Sequence, residues 1–210
     1  VYSWDAWSSQ RVKTPRIMGH EFAGVVVDVG SDVTHFKVGD HISGESHWVC
    51  GMCIQCRNGQ RHVCKHTRIL GVDVDGCFAD YVVVPEGSAS KNDPTLSPEI
   101  TCIQDPLGNA VHATLEGEIV GKTVAVLGCG PIGIFSIAVA KAAGASLVIA
   151  TDTRKFRLDL AKKLGADAVC NAAEQDVEAY VAQATGGEGV DVVLEMSGAP
   201  IAIRQAMRVA

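Results

Sequence analysis

The chain has 210 residues, of which 47% are hydrophobic and 20% are charged, and its formal net charge is −6. This is an ordinary globular composition, and the negative charge argues against nucleic acid or an anionic membrane as the main partner. No apolar run reaches the roughly 18 residues that a membrane-spanning helix needs, so we expect no membrane span.

The start of the chain, from Val1, shows no basic segment followed by an apolar one, so we expect no secretory signal. Four cysteines are scattered singly through the sequence, and free thiols of this kind fit a reducing cytoplasm. We therefore expect a cytoplasmic protein. Because the first residue is not Met and the last lies within a helical pattern, we also expect an internal piece of a longer protein.

The first half of the chain predicts β structure. An apolar, β-branched run covers residues 22–29, and shorter strand-like pieces follow at 41–43 and 78–84. Turn signals such as Val38-Gly39-Asp40 separate them. Many short strands with glycine-rich turns favour a barrel or a sandwich.

The segment Gly19-His20-Glu21-Phe22-Ala23-Gly24 leads into the first of these strands. Imidazole and carboxylate groups are both zinc ligands, so His20 and Glu21 are candidates for a metal site. An isolated His-Glu pair is common and carries little weight by itself. Its interpretation depends on the flanking glycines and on the motifs that follow.

Four cysteines come next, Cys50, Cys53, Cys56 and Cys64, with the spacing C-x2-C-x2-C-x7-C. Four thiolates this close can complete the tetrahedral shell that Zn²⁺ prefers in structural sites. The alternatives are chance clustering and a pair of disulfides, and the geometry of adjacent C-x2-C pairs disfavours the disulfides. A zinc with four protein ligands has no open position, so we expect this site to hold a loop in shape and the chemistry to lie elsewhere.

Strand and helix patterns alternate from about residue 105 onward. The predicted strands cover 122–127, 147–151, 168–170 and 190–195, and the predicted helices cover 131–143, 154–164 and 174–184. This alternation is typical of βαβ units and of a parallel sheet covered by helices on both faces. We therefore predict a β-rich domain over 1–108 and an α/β domain over 109–210.

The turn after the first of these strands has the pattern G-x-G-x-x-G, in Gly128-Cys129-Gly130-Pro131-Ile132-Gly133. It follows an apolar strand and opens a helix, and Asp152 lies 19 residues beyond Gly133 at the end of the next strand, as in dinucleotide-binding folds. Gly128 is expected to allow the tight turn, Gly130 to let the backbone approach a pyrophosphate, and Gly133 to let helix and strand pack closely. Pro131 and Ile132 begin the helix, whose N–H groups face the phosphates.

Asp152 also bears on the choice of cofactor. A carboxylate accepts hydrogen bonds from both ribose hydroxyls and repels a 2′-phosphate, which favours NAD over NADP. Arg154 and Arg157 lie nearby, and an arginine could receive that phosphate, so Arg157 is counted among the cofactor-binding candidates. Glu195, at the end of a later strand, could line the same crevice.

The G-H-E-x-x-G motif, the four-cysteine loop and the dinucleotide fingerprint occur in the order found in the zinc-containing medium-chain dehydrogenases, and the chain resembles that family. The segments YSWDAW, GESHWVCGMCIQCRNGQRHVC, DPLGNAVHA and LEMSGAP resemble the members that oxidise L-threonine. The resemblance implies a GroES-like catalytic domain and a Rossmann domain, both partial here. It also implies NAD, one catalytic and one structural zinc, and a homotetramer.

In this family the catalytic zinc is bound by a cysteine, by the His and Glu of the G-H-E motif, and by an acidic residue before P-L-G-N-A-V. The resemblance maps the last three ligands onto His20, Glu21 and Asp105. The cysteine belongs to a C-G-T-D-x-H motif, with the proton relay, that this chain lacks and that we expect upstream of Val1. His47 falls where the family borders its substrate pocket; the alternative is an ordinary loop histidine.

The resemblance therefore implies oxidation of the C3 hydroxyl of L-threonine to 2-amino-3-ketobutyrate, with hydride transfer to NAD. Two alternatives remain open from the residues. One is another zinc alcohol or polyol dehydrogenase of the sorbitol or butanediol type, and the other is a zinc- and NAD-binding protein without turnover. A substrate panel separates the first, and the sequence upstream of Val1 separates the second.

Overall fold

The structure is a computed structural model that describes residues 6–210. The chain forms two compact units, Val1–Asp105 and Pro106–Ala210. The division thus falls between Asp105 and Pro106, slightly before the predicted boundary at 108/109. Residues 1–5, which include most of the YSWDAW segment, lie outside the described residues.

The first unit is built from short elements around two antiparallel sheets. Its strands are β1 (Ala23–Val25), β2 (His41–Gly44), β3 (His47–Trp48), β4 (Arg68–Ile69) and β5 (Ala89–Lys91), and its helices are α1 (Ala6–Arg11), α2 (Ile54–Arg57) and α3 (Pro98–Thr101). One sheet has the order β1-β2-β5 and the other pairs β3 with β4. Single turns of 3-10 helix cover Arg61–Val63 and Glu86–Ser88. The central strand β2 therefore has a partner on each side.

Two of the predicted strands in this unit differ from the structure. The run at 22–29 is reduced to β1, which ends at Val25, and the strand predicted at 78–84 is wrong. Phe78, Tyr81 and Val83 are 77%, 76% and 84% exposed, so the apolar pattern of that segment is not buried against a neighbouring strand. A strand needs a partner for its backbone groups as well as an alternating sequence. Within residues 6–210 neither sheet of this unit closes into a barrel.

The second unit contains a parallel sheet of four strands in the order β8-β7-β6-β9. Its strands are β6 (Thr123–Leu127), β7 (Leu147–Asp152), β8 (Ala168–Asn171) and β9 (Val192–Glu195). The helices that follow them are α5 (Pro131–Ala142), α6 (Lys155–Lys163), α7 (Val177–Ala184) and α8 (Pro200–Val209), and α4 (Gln104–Leu115) precedes the sheet. The predicted strands and helices of this half are confirmed with small changes at their ends.

Alternate residues of β6 point to two separate apolar cores. Val124 and Val126 belong to a cluster with residues of α5 and α6 on one face of the sheet. Ala125 and Leu127 belong to a second cluster with residues of α7 and α8 on the other face. All of these β6 side chains are buried. The sheet is therefore covered on both faces, as the continuous apolar strands predict.

The strand order places a reversal at the centre of this sheet. From β6 the chain moves outward through β7 to β8 and then returns to the other side of β6 with β9. Ligands of open α/β sheets bind at the carboxyl ends of the strands beside such a reversal. The strand ends at Leu127 and Glu195 mark this position. No helix in the described part of the chain has the length and apolar character needed to cross a membrane.

Candidate metal centres and dinucleotide site

The four predicted cysteine ligands meet in one cluster of the first unit. The Sγ–Sγ distances are 3.5 Å for Cys53–Cys56, 3.8 Å for Cys53–Cys64 and 3.6 Å for Cys50–Cys64. These distances are far longer than a disulfide bond of about 2.0 Å, and all four cysteines are free. A tetrahedron with Zn–S bonds of about 2.3 Å has edges of about 3.8 Å. The cluster therefore fits a four-coordinate zinc ion and excludes the disulfide alternative.

Backbone N–H groups in this loop favour the thiolate forms that bind zinc. Cys64 Sγ accepts hydrogen bonds from the amides of Cys50 and His66, at 3.4 and 3.3 Å. Such bonds lower the pKa of Cys64, and the amide of Cys56 is the main cause that lowers the pKa of Cys53 to about 6. Burial raises the pKa of the Cys56 thiol to about 12. Nearby positive charge, such as that of a metal ion, is what would favour loss of this last proton.

A second group of possible ligands lies elsewhere in the same unit. The ligand atoms of His20, Glu21 and Asp105 all lie within 4.8 Å of one another. Glu21 is exposed and His20 half-buried, whereas Asp105 is buried. One imidazole and two carboxylates suit zinc, and these three ligands leave the fourth tetrahedral position to a further protein ligand or to a small molecule. The donor set thus fits a zinc ion.

His20 is positioned by a close approach of backbone to backbone, which we call the glycine clamp (Gly19, Gly71 and Gly76). A Cβ atom on Gly71 would lie 2.5 Å from the carbonyl oxygen of Gly19, and one on Gly76 would lie closer still. Gly19 itself has φ +91°, a conformation that glycine adopts most readily. The N–H of Cys77 donates to the Gly19 carbonyl at 3.0 Å and that of Phe78 to the Met18 carbonyl at 2.9 Å. These contacts fix the backbone immediately before His20.

His47 lies at the beginning of β3 with an acidic neighbour. Its Nδ1 is 3.0 Å from Glu45 Oε1, and its side chain is 31% exposed. The Glu45 carboxylate raises the pKa of His47, and the charge of Asp105 acts in the same direction. The contact with Glu45 therefore favours the cationic form of the imidazole. The sequence singled out His47 but gave no sign of the pairing with Glu45.

The glycine-rich turn of the second unit has the form that a dinucleotide phosphate requires. Gly128 has φ +100°, and a Cβ there would lie 2.7 Å from the Cβ of Ser197. A Cβ on Gly133 would collide with the Gly128 carbonyl, whereas one on Gly130 would have no atom within 4 Å. Gly130 caps the start of α5, where Pro131 is a first-turn residue and no side chain caps the helix. The open backbone surface at Gly130 and the uncapped helix end fit a phosphate group.

Asp152 is buried between this turn and the next helix. Its Oδ2 accepts a hydrogen bond of 2.8 Å from the N–H of Cys129, and its Oδ1 accepts one of 2.8 Å from the N–H of Arg154. Arg157 Nη1 lies 3.5 Å from Oδ2. The carboxylate therefore connects the ends of β6 and β7, in addition to the ribose-binding role that the sequence predicts for it. Burial raises the pKa of the Cys129 thiol to about 12, so this cysteine is not a nucleophile at neutral pH.

Glu195 closes the turn after β9. Its Oε1 accepts a hydrogen bond of 2.8 Å from the N–H of Ser197, and its Oε2 accepts one of 3.1 Å from the N–H of Gly198. The turn then leads to Pro200 at the start of α8. Glu195 thus shapes the strand end beside the Gly128 turn.

Comparison with known proteins gives a consistent result for both units. Residues 2–94 match the alcohol dehydrogenase GroES-like domain, and residues 131–210 match the zinc-binding dehydrogenase family. The chain is 50% identical to L-threonine 3-dehydrogenase of Bacillus velezensis, over 100% of this chain and 61% of that protein. It thus spans about three-fifths of the length of this relative.

Solved structures agree with this similarity. A protein of Sinorhizobium meliloti assigned to the zinc-binding dehydrogenases, and bound to NADP, has a TM-score of 0.89 at 35% identity, covering 95% of this chain and 59% of that one. A short-chain alcohol dehydrogenase of Escherichia coli complexed with NADH has a TM-score of 0.86 at 31% identity, covering 93% of this chain and 58% of that one.

The cysteine cluster predicts the effect of removing one ligand. Cys53→Ser should remove one zinc ion per chain and lower the melting temperature, because three thiolates close the shell less tightly. Metal analysis and thermal unfolding of the full-length protein measure both effects. Cys102→Ser, which changes a half-buried cysteine outside the cluster, is the matched control. Unchanged zinc content in Cys53→Ser would show that the cluster is not a metal site.

Substitution by alanine should affect different properties at Gly130 and at Gly133, namely NADH affinity at the first and stability at the second. Gly130→Ala should leave the melting temperature unchanged but weaken NADH binding by about tenfold or more, or about 1.4 kcal/mol, because its methyl group occupies the open surface. Gly133→Ala should lower stability by about 1–3 kcal/mol, because its Cβ meets the Gly128 carbonyl. NADH fluorescence titration and thermal unfolding test this pair. Full NADH affinity in Gly130→Ala would contradict the phosphate site.

Proposed function

The chain belongs to the zinc-containing medium-chain dehydrogenase family, and we propose that the full-length protein oxidises the C3 hydroxyl of L-threonine, with NAD as hydride acceptor. The product is 2-amino-3-ketobutyrate. The observation that carries the proposal is the convergence of His20, Glu21 and Asp105 within 4.8 Å. The identity of 50% to an L-threonine 3-dehydrogenase over the whole chain supports the choice of substrate.

The residues of the first unit supply a place to bind and orient an alcohol. When bound, zinc supplies Lewis-acid polarisation of a hydroxyl group and NAD supplies the hydride acceptor. His20 and Asp105 would hold the metal from a rigid backbone and a buried carboxylate respectively. Glu21 is exposed, so it has freedom to bind the metal or to withdraw. The four-cysteine site has no open position, and its role is to maintain the loop.

His47 supports an amino-acid substrate through its charge. Threonine carries a carboxylate, and the Glu45 carboxylate raises the pKa of His47, which favours the cationic form of the imidazole that such a carboxylate would bind. We assign His47 the role of orienting the substrate at its Nε2 atom. In the second unit, Asp152 favours the free ribose hydroxyls of NAD over a 2′-phosphate. Arg157 is already within 3.5 Å of Asp152, which leaves it less available to receive that phosphate.

A substrate panel tests this proposal directly. With NAD, the full-length protein should oxidise L-threonine at least about tenfold more efficiently than sorbitol or 2,3-butanediol, since a site with matched polar groups discriminates strongly. The readout is NADH formation together with identification of 2-amino-3-ketobutyrate. Preference for a polyol would show that L-threonine is not the substrate. Binding of zinc and NAD without turnover would show that the protein is not an enzyme. Light scattering of the same sample tests the homotetramer that the family resemblance implies.

His20 gives the sharpest prediction for the metal. His20→Ala in the full-length protein should remove the second zinc and nearly abolish threonine oxidation, while the four-cysteine zinc and NADH binding remain. Metal analysis, NADH titration and activity are measured on the same preparation. His35→Ala is the control, because its side chain is 80% exposed and pairs with Glu86 outside the ligand group. Two zinc ions per chain and normal activity in His20→Ala would overturn the metal assignment.

A further inference from the structure

Three polar side chains in the first unit form a closed cycle of hydrogen bonds, which we call the polar ring (Ser43, Asn92 and Gln104). Gln104 Nε2 donates to Asn92 Oδ1 at 2.7 Å, and Asn92 Nδ2 donates to Ser43 Oγ at 3.0 Å. The Ser43 hydroxyl completes the cycle by donating to Gln104 Oε1 at 2.5 Å. Ser43 is fully buried, Asn92 is 8% exposed, and Gln104 is half-buried.

The polar ring is attached to the central strand of the sheet. Ser43 lies in β2, opposite Ala23 of β1 on one side and Ser90 of β5 on the other. The N–H of Asn92 donates to the His41 carbonyl at 2.8 Å, which extends the pairing of β2 with β5. The sheet therefore fixes Ser43 and Asn92, and these two residues fix the amide of Gln104. Each member of the ring both donates and accepts a hydrogen bond within it. Reorienting any one side chain would therefore break two of these hydrogen bonds.

Gln104 directly precedes Asp105, the buried member of the second ligand group. The Asp105 carboxylate is also held directly, because the N–H of Ser46 donates a hydrogen bond to its Oδ1 at 3.0 Å. Ser46 follows β2 along the same chain segment that contains Ser43. His20 and Glu21 lead into β1, which pairs with β2 in the register Ala23↔Ser43. Strand β2 and the residues next to it therefore position His20 and Glu21 through β1, and Asp105 through Ser46 and the polar ring.

We propose that the polar ring is a positioning device that sets the carboxylate of Asp105 at the distance from His20 and Glu21 that a shared metal ion requires. Ser43, Asn92 and Gln104 are positioning residues, since each acts through Asp105 rather than on the substrate. Their alternative role is packing of a polar patch in the sheet. That alternative predicts a loss of stability without a change in metal affinity. The proposal rests on the proposed function only in taking His20, Glu21 and Asp105 as ligands.

The test compares metal affinity with stability in the full-length protein. Ser43→Ala and Gln104→Met each break the ring, and Gln104→Met does so at a half-buried position that tolerates substitution better. Either variant should weaken Zn²⁺ binding at the second site by about tenfold or more, the effect typical of losing a group that orients a ligand. Competition with a chromophoric chelator gives this affinity. Absorption bands of Co²⁺ at the site should shift, because they report ligand geometry.

A double variant adds a second criterion. Because the two substitutions break the same ring, Ser43→Ala combined with Gln104→Met should weaken metal binding hardly more than the worse single variant. Asp40→Asn is the matched control, since Asp40 is buried, pairs with Lys91 of β5 at 2.8 Å, and stabilises the same sheet without touching the ring. It should lower the melting temperature with no change in Zn²⁺ affinity or in the Co²⁺ bands.

The outcomes separate this inference from the proposed function. Unchanged affinity and unchanged Co²⁺ bands in the ring variants, with a second metal still bound by the wild-type protein, would overturn the positioning role alone. An equal loss of affinity in Asp40→Asn would also overturn it, because the effect would then follow stability. A wild-type protein that takes up zinc only at the four cysteines would overturn both the proposed function and the positioning role.

Discussion

The backbone packing around Gly19 is the constraint on which the candidate metal site depends. Gly71 and Gly76 approach the Gly19 backbone so closely that a Cβ atom on either would meet its carbonyl oxygen. Hydrogen bonds from the N–H groups of Cys77 and Phe78 hold the same segment. Each such bond contributes only about 1 kcal/mol to stability. Their main effect is to fix the backbone at Met18 and Gly19, and this determines where the side chain of the next residue, His20, lies.

Asp105 reaches the same ligand group from a distant part of the sequence. Its carboxylate is held by the N–H of Ser46, and its neighbour Gln104 is held by the buried side chains of Ser43 and Asn92. Metal ligands bind well when their orientation is set before the ion arrives. In the second unit a carboxylate has a similar positioning effect, because Asp152 accepts a hydrogen bond from the N–H of Cys129 in the glycine-rich turn. Rigid backbone and buried polar groups thus prepare both sites.

The sequence predicted the α/β half well because its signals are local. Continuous apolar strands, helical periodicity and the glycine pattern each occupy one short segment, and the structure keeps them with small changes at the ends. The first unit was harder, because the strand predicted at 78–84 has the right side chains but no strand beside it. The two groups of candidate ligands could be predicted from motifs, and the structure brings the members of each group together. The polar ring and the glycine clamp could not be predicted, because Ser43, Gln104 and Gly76 make the relevant contacts with residues far away in the sequence.

The two groups of candidate ligands in the first unit should bind two separate metal ions. Crystals of the full-length protein, measured at the zinc absorption edge, test this most directly through anomalous diffraction. We expect two anomalous peaks per chain, one among the sulfur atoms of the four cysteines and one among the ligand atoms of His20, Glu21 and Asp105. A single peak at the cysteines, or a second peak away from these three residues, would contradict this expectation.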